Sequence, residues 1–579
     1  MIPVLYQHTA RDKPALRVGI LLDSTRLPRC FAEVIDHLLG CNFARIELLV
    51  LNEAAFVSQA SEPQTQSKLR TVSRLIASRE RRRLFLFALY QRWDRRHVDP
   101  TVDPEEEVDC ADKLQGVDSI AVTPVTKRYV HRFTSDAIAQ IRERNLDVLI
   151  RFGFNILRGD ILSAARYGVW SYHHGDGDYY RGGPSHLWEI IEGNPLSGVM
   201  LQVLTEDLDA GMVLCKGWFA TQPGLSRARN CVQPYWGAST FMIQKLRELY
   251  DHGWERLRHR MLPATPYRGR KSIYRAPTNA EMVRWLAPVV GRKLVRRVVH
   301  RASIEHWRLA VRRADRLISD GGTPPDTAGF RWIESPRGRF YADPFLVHVE
   351  GRTWLFFEDF DYGKSRGMIA CAELTSDGVP GARVPVLERP YHLSYPCVFP
   401  KGDHIFMIPE TCANGTVELY RCLEFPHRWR LERVLLELPA VDTTIWIEDQ
   451  KIWLFVTLQE PRGHGLQLWL FSAEDLSGPF SPHPASPIST DVRASRGAGA
   501  IFRRADKLIR PSQDCSGHYG RRFMLNEIVE LDSERYVERP CVTVDPTWAS
   551  GLVGTHSYSH LGQIEVIDGC ARLPVSRVL

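Results

Sequence analysis

The sequence predicts an α/β domain built on a Rossmann-like parallel sheet, followed by an all-β five-bladed propeller. Three observations carry this. A strand-like apolar run, a helical pattern and a second apolar run succeed one another over residues 17–52. The stretch ISDGGTPPDTAG, 318–329, is a Gly/Pro/Asp-rich linker, and beyond it the periodicity changes to short strands with turn signals. From 340 to 579 a unit of strand, short polar turn and strand recurs.

The chain of 579 residues is too long for one ordinary core, so two or three domains are expected. With 44% hydrophobic and 25% charged residues it has the composition of a globular protein. A net charge of +7 suits an anionic substrate, cofactor or membrane surface and does not demand nucleic acid. The opening MIPVLYQHTARDKP has no apolar signal core, and no run reaches the roughly 18 apolar residues of a membrane span. The 12 Cys are scattered, without paired CxxC or His spacing. Reduced thiols in a cytoplasmic protein, and no metal site, are the expectation.

The first domain is expected over 1–265. RVGILL (17–22), CFAEVIDHLLG and IELLVLN (46–52) open a β-α-β unit. Residues 55–115, polar and Arg-rich, read as an insertion. The rhythm resumes with SIAVTPV, a helix SDAIAQIRERN, the strand DVLIRFGF, and apolar runs at 169–172 and 198–204. Residues 266–329 read as a basic helical connector and linker. Its Arg-rich part, 284–316, is either a basic helix on an anionic membrane or partner, or a solvated connector packed on a neighbour.

The propeller is expected over 330–579. Units begin at 340 (FYADPF), 394 (SYPCVF), 441 (VDTTIW) and 497 (GAGAIF), with a shorter fifth copy at 556 (HSYSHL). RWIESP near 331 is expected to close the ring with the last blade. First strands of blades line a central funnel, which places Asp343, Tyr395, Asp442, Arg496 and His556 there. Glu358, Glu410 and Asp514 end the next strands. Converging polar groups at a funnel mouth suggest a ligand site.

Asp343-Pro344 resembles the blade-one Asp-Pro of five-bladed arabinanase- and xylosidase-type glycosidases. The words ADPF, SYPxVF, IPE and RPxQ (Arg510, Pro511, Gln513) resemble, more closely, the N-terminal domain of plant glucosamine inositolphosphorylceramide transferases. There the domain accompanies a separate glycosyltransferase, so the resemblance does not assign it an activity. Hydrolysis needs two carboxylates about 5 or roughly 6.5–9.5 Å apart. Asp343 with Glu410 or Asp442 is a candidate pair. Carbohydrate binding and a structural role stay open beside it.

The most informative stretch is 145–215. A strand ending in GFNIL leads to Ser171-Tyr172-His173. Arg181-Gly182 follows eight residues on, then HLWEIIEGNPLSGVMLQVL, then LDAG with Asp209, 36 residues after His173. In order and spacing this resembles the formyltransferase family of methionyl-tRNA, glycinamide ribonucleotide and nucleotide-sugar enzymes, over roughly residues 15–265.

The resemblance implies 10-formyltetrahydrofolate as formyl donor and His173 with Asp209 as the catalytic pair. It implies the backbone of Phe152, Gly153 and Phe154 as the wall of a pterin pocket. An amine attacks the formyl carbon and an oxyanion forms, so donors aimed at that oxygen supply the largest catalytic effect. A carboxylate beside the imidazole raises its pKa, fixes the ring and relays a proton.

The family's Asn is Ser171 here, a shorter donor that must rotate into place. The family's segment after the His is replaced by GDGDYY. Its Asp176, Asp178, Tyr179 and Tyr180, with Arg181 beyond, suggest an amine-bearing acceptor. The carboxylates would hold an ammonium and the tyrosines would stack on a sugar. His174 and Asp176 are the neighbours able to take over part of the catalytic site.

The leading expectation is an N-formyltransferase acting on an amino sugar or other small amine, nucleotide- or lipid-linked. A tRNA acceptor is disfavoured because a long propeller replaces the small barrel of the tRNA enzymes. Two alternatives stand beside it. One is a catalytically degenerate formyltransferase fold in a carbohydrate-binding or scaffold protein. The other is a propeller-borne glycosidase or glycosyl-transfer activity.

Overall fold

The computed structural model describes residues 5, 7–55, 82–207, 211–263, 265–299, 303–322, 325–459 and 466–579. They fall into two compact units, 1–293 and 294–459 with 466–579.

The first unit is organised by seven strands. They are β1 (Leu16–Leu22), β2 (Ala44–Asn52), β3 (Ser119–Val122), β4 (Val148–Arg151), β5 (Val169–His173), β6 (Leu196–Val203) and β7 (Met212–Ala220). They lie in the order β7-β6-β5-β4-β1-β2-β3. Strands β1 to β5 are parallel, and β6 and β7 are antiparallel. Val18–Leu22 are buried without alternation, as a central parallel strand covered on both faces requires. The chain winds outward from β1 both ways, so β1 and β4 flank a switch point, where such sheets bind ligands beyond the carboxyl ends of the strands.

The helices follow from their sequence. Arg29–Leu39 buries Val34, Ile35 and Leu38 on one face. Ser135–Glu143 starts at Thr134, whose side chain accepts from the Ala137 N–H. Of the 55–115 insertion, 56–81 lie outside the described residues. The helix Phe85–Asp94 is no loose appendage, because Phe87 and Tyr90 pack with Leu187, Leu225, Met282 and Trp285.

The basic stretch differs from the expectation of helices to 317. A helix covers Asn279–Val299, but Ser303–Arg313 is a strand. It pairs residue by residue with Ile564–Pro574, a long-range ladder that outweighs the local spacing. Its arginines are spent internally. Arg308 lies 4.0 Å over Trp332, and Arg312, 3% exposed, is paired with Glu565. Arg313, half-exposed at the strand's end, meets Asp377 and Gln563.

The second unit is five antiparallel sheets. Four follow the chain over 339–387, 394–436, 440–482 and 496–544. The fifth joins the two ends of the unit: Ser303–Arg313 and Arg331–Ile333 with Leu552–Gly554, Tyr558–Leu561 and Ile564–Pro574. The copy at 556 is short because its missing strands come from 303–333. The strand at 331 pairs with Leu309–Val311, inside this closing sheet. The all-β part therefore begins at 303, earlier than 330. Among the described residues no helix is long and apolar enough to cross a membrane, which says nothing of a β-barrel.

Candidate functional site

Strands β4, β5 and β6 set three polar side chains in one row. Arg151 pairs with Ser171 across β4 and β5, and Ser171 with Gln202 across β5 and β6. All three line a cavity of about 850 Å³, with His173, Trp188, Lys271 and Tyr274. The volume lies in the range of small-molecule sites, roughly 300–1,000 Å³.

His173 ends β5. Its Nε2 is 2.9 Å from the Tyr180 carbonyl oxygen, and since a carbonyl only accepts, Nε2 carries the proton. Ser171 is buried; its hydroxyl accepts from Arg151 Nη1 at 3.1 Å and donates to the Tyr172 carbonyl at 3.2 Å. That hydrogen is therefore directed at backbone. Arg151 also donates to the carbonyls of Phe154 at 2.8 Å and Asn155 at 3.2 Å. Sequence reasoning passed over Arg151 and Gln202. The available signal was a single polar residue closing or interrupting an apolar run, DVLIR and VMLQVL. Asp209 lies outside the described residues. Gly211, last of the LDAG word, is close-packed: a Cβ there would stand 2.3 Å from the Val203 carbonyl.

The Phe152–Phe154 segment seals the seam between β4 and β1 and is not in the cavity lining, which passes through Arg151 and Asn155. Phe152 and Gly153 donate to the Leu21 carbonyl at 3.0 and 2.8 Å. A Cβ on Gly153 would lie 2.2 Å from the Asp23 nitrogen, so this approach needs glycine. Phe154 takes φ 62, donates its N–H to Asp23 at 2.9 Å and buries its ring in the core.

The GDGDYY loop also departs from expectation. Asp176 and Asp178 enclose the ammonium of Lys216, Asp178 at 2.7 Å, and Trp218 Nε1 donates to Asp176 at 3.1 Å. The carboxylates expected to meet an acceptor's ammonium hold an internal one, because β7 carries Lys216 beside them. Tyr180 is buried with Trp188 and Tyr274, and only Tyr179, 38% exposed, stays accessible for stacking. Arg181 donates to the Gly177 carbonyl at 3.1 Å and lies 4.6 Å over Tyr267. His174 stacks on Tyr235 at 3.8 Å. Burial, then neighbouring His186, holds its pKa well below the usual imidazole range, so it offers no cationic donor.

In the second unit one backbone device recurs three times. Asp343, Tyr395 and Asp442 take φ of 52, 45 and 49, each at a register shift in its first strand pair. A bulge of this kind turns a side chain out of the ladder. Asp442 is paired with Arg496 and accepts from Gln513 Nε2 at 3.0 Å. Arg496 also lies 3.8 Å from Glu410. Asp343 accepts from the Ser557 hydroxyl at 2.9 Å and stands 3.8 Å from His556, whose other ring nitrogen meets Asp568. Glu358 is 3.5 Å from His392.

Burial pushes Asp343 up to about 6. It also raises Glu358 and Glu410 well above the usual carboxylate range, with neighbouring carboxylates adding to it. Burial opposes charge on His556, but Asp568 and Asp343 outweigh it and raise its pKa. Donor atoms of Asp343, His556 and Asp568 lie within 4.8 Å of one another, a spacing that could hold a metal ion.

Tyr395 and Arg510, expected in the funnel, and Asp514, at the end of a second strand, have partners within the fold. Tyr395 is fully buried, its hydroxyl 2.8 Å from both Thr444 Oγ1 and the Gly499 nitrogen. Arg510 is locked to Glu538 at 2.7 and 2.8 Å. Asp514 is paired with Arg522 at 2.7 Å. Asp568, Ser557 and His392 were missed; Asp568, an acid at the end of the strand word EVID, was the legible signal.

Comparison with known proteins divides along the same line. Residues 333–552 match the family of the glucosamine inositolphosphorylceramide transferase 1 N-terminal domain. Glucosamine inositolphosphorylceramide transferase 1 of Oryza sativa subsp. japonica is 36% identical over 209 residues, 35% of this chain and 28% of that protein. Methionyl-tRNA formyltransferase of Prochlorococcus marinus is 34% identical over 80 residues, 14% of this chain and 24% of that protein. The chain thus spans less than a third of the length of these relatives. Glycinamide ribonucleotide transformylase 1 from Symbiobacterium toebii aligns with TM-score 0.28 and 11% identity, over 42% of this chain and 91% of that one.

Proposed function

We propose that the first unit is a transferase that moves a formyl group from 10-formyltetrahydrofolate to the amine of an amino sugar, nucleotide- or lipid-linked, in the cytoplasm. We read the five sheets of the second unit as the blades of a propeller that binds carbohydrate. The observation that carries the reading is the row Arg151–Ser171–Gln202 with His173, around one cavity at the strand ends. Trp188 and Tyr274 offer flat walls for a ring system, and Arg275 offers a cation for an anionic tail. The similarity to a methionyl-tRNA formyltransferase and to a glucosamine-named transferase supports the two halves.

The chemistry follows from the residues. As the amine nitrogen bonds to the formyl carbon, charge develops on the formyl oxygen. His173 is the donor assigned to it, its Nε2–H exchanging the Tyr180 carbonyl for the formyl oxygen when substrate binds. The bond to the donor's nitrogen then breaks, and the proton lost by the amine ends on that nitrogen. The formyltransferase resemblance gives the relay of this proton to Asp209, which lies outside the described residues. Contact of 284–316 with an anionic membrane surface belongs to the same proposal.

The test is tetrahydrofolate release from 10-formyltetrahydrofolate with a panel of amino-sugar nucleotides, using His173→Ala as control. Release that needs an amino sugar and is lost in the variant supports the reading. Silence with no folate binding sinks it. One observation favours the degenerate alternative: the Ser171 hydroxyl hydrogen is spent on the Tyr172 carbonyl. Sugar binding without folate binding is its signature. Activity lost in Asp343→Asn but kept in His173→Ala would instead assign the reaction to the second unit.

A further inference from the structure

We propose that Gln202 holds the nucleophile: its amide oxygen accepts an N–H of the acceptor amine and points the nitrogen lone pair at the formyl carbon. The assignment rests on the formyl-transfer reading of this cavity.

Gln202 is 2% exposed and lines the cavity. Its Oε1 is buried and, among the described residues, has no hydrogen-bond partner. A buried amide oxygen left unmatched costs about 1–3 kcal/mol, and such a group in a ligand-sized cavity is matched when a donor arrives. Its aim is built into the strand. The β6–β7 register shifts between Leu201 and Gln202, an irregularity of the kind that re-aims a side chain beside an active site. A Cβ on Gly211 would come within 3.0 Å of Oε1, so the glycine leaves the amide its place. Across the strand pair stands Ser171, whose hydroxyl already accepts from Arg151 and donates to backbone. Gln202 is thus the member of the row with an acceptor to offer.

The residue type fits the task. A carboxylate here would stabilise an ammonium, which has no lone pair to attack with; a neutral carbonyl oxygen favours the free amine. Among the described residues the acidic groups that also line the cavity are Glu206, Asp207 and Glu281, and Glu281 is paired with Lys271 at 2.6 Å. The step balances. The C–N bond to the amine forms, the C–N bond to the folate nitrogen breaks, and one amine proton moves to that nitrogen, giving formamide and tetrahydrofolate. With water in place of the amine the products are formate and tetrahydrofolate.

The experiment gives the full chain 10-formyltetrahydrofolate with D-glucosamine or hydroxylamine, and measures formylated amine and formate for each tetrahydrofolate released. That ratio does not depend on how much of a variant folds. In Gln202→Met, of similar shape and without an amide oxygen, the amine-to-water ratio is expected to fall about tenfold, the worth of one such hydrogen bond. In Gln202→Glu the pH profile of amine transfer is expected to shift upward, because a carboxylate raises the amine's pKa. An unchanged ratio in Gln202→Met with an unchanged profile in Gln202→Glu overturns the assignment while leaving formyl transfer intact. Wild-type release that yields only formate also overturns it. No tetrahydrofolate release by the wild type overturns the formyl-transfer reading itself.

Discussion

The strand ends of the first unit and the acidic centre of the second both gather polar side chains that sequence reasoning singles out, and they treat them in opposite ways. In the first, Ser171, His173 and Gln202 face a cavity of about 850 Å³, and one buried acceptor is left unmatched. In the second, Asp442, Arg496, Gln513, Asp343, Ser557, His556 and Asp568 are bonded or ion-paired to one another. The difference teaches that convergence of polar residues does not by itself mark a site. What separates them is whether the groups are already partnered. The GDGDYY loop makes the point within the first unit, since its two aspartates belong to Lys216.

The contrast can be broken or sharpened by measurement. The largest effect is expected from Lys216→Met. It strands the buried Asp176 carboxylate and leaves Asp178, about a third exposed, without its cation, at a cost of about 3 kcal/mol. Urea unfolding of the first unit reads it, and a loss below about 1 kcal/mol would mean the aspartates are free after all. His173→Ala is expected to lower tetrahydrofolate release by about 10²–10³, as for loss of an oxyanion donor; steady-state rates with an amino-sugar acceptor check it. Gly153→Ala forces a Cβ onto the Asp23 nitrogen and is expected to cost about 1–3 kcal/mol, seen as a lower Tm of the first unit.

Asp343→Asn probes the second unit through pH. Folded, the Asp343 carboxyl is pushed up to about 6; unfolded it titrates near ~3.9. Between those values the native state binds the extra proton, so wild-type stability falls as pH rises through the window. Asparagine has no proton to lose. The variant is therefore expected to gain on the wild type between about pH 4 and 7, and a pH-independent difference in Tm would count against a buried, proton-holding carboxyl. The smallest effect is expected from Tyr179→Ala, a half-open loop position, within about 0.5 kcal/mol by thermal melts. Weaker binding of an amino-sugar acceptor in that variant would sharpen the loop's role in recognition.

Much of the architecture is legible locally. Apolar runs at 17–22, 46–52, 169–172 and 198–204 are strands of one sheet because burial on both faces leaves no polar alternation to read. The recurring words ADPF, SYPC and VDTT each mark a positive-φ residue at a register shift, so the repeat visible in the letters is a repeat of backbone geometry. Other features were not legible. Ser303–Arg313 carries helix-like spacing and becomes a strand only because Ile564–Pro574 is there to pair with it. Arg510 looked like part of a funnel motif, yet its partner Glu538 lies two strands away in the same sheet.

By itself the sequence determined the two-part division of architecture, the strands and helices near the switch point, and the order of His173, Arg181-Gly182 and LDAG along the chain. Periodicity, caps and glycine demands act over a few residues and can be read in one dimension. Only the tertiary structure decided which polar groups are spent. Whether Asp176 awaits a ligand or holds Lys216, and whether an amide such as Gln202 is satisfied or orphaned, depends on which strand lies alongside, and that is set by pairing between residues far apart in the chain.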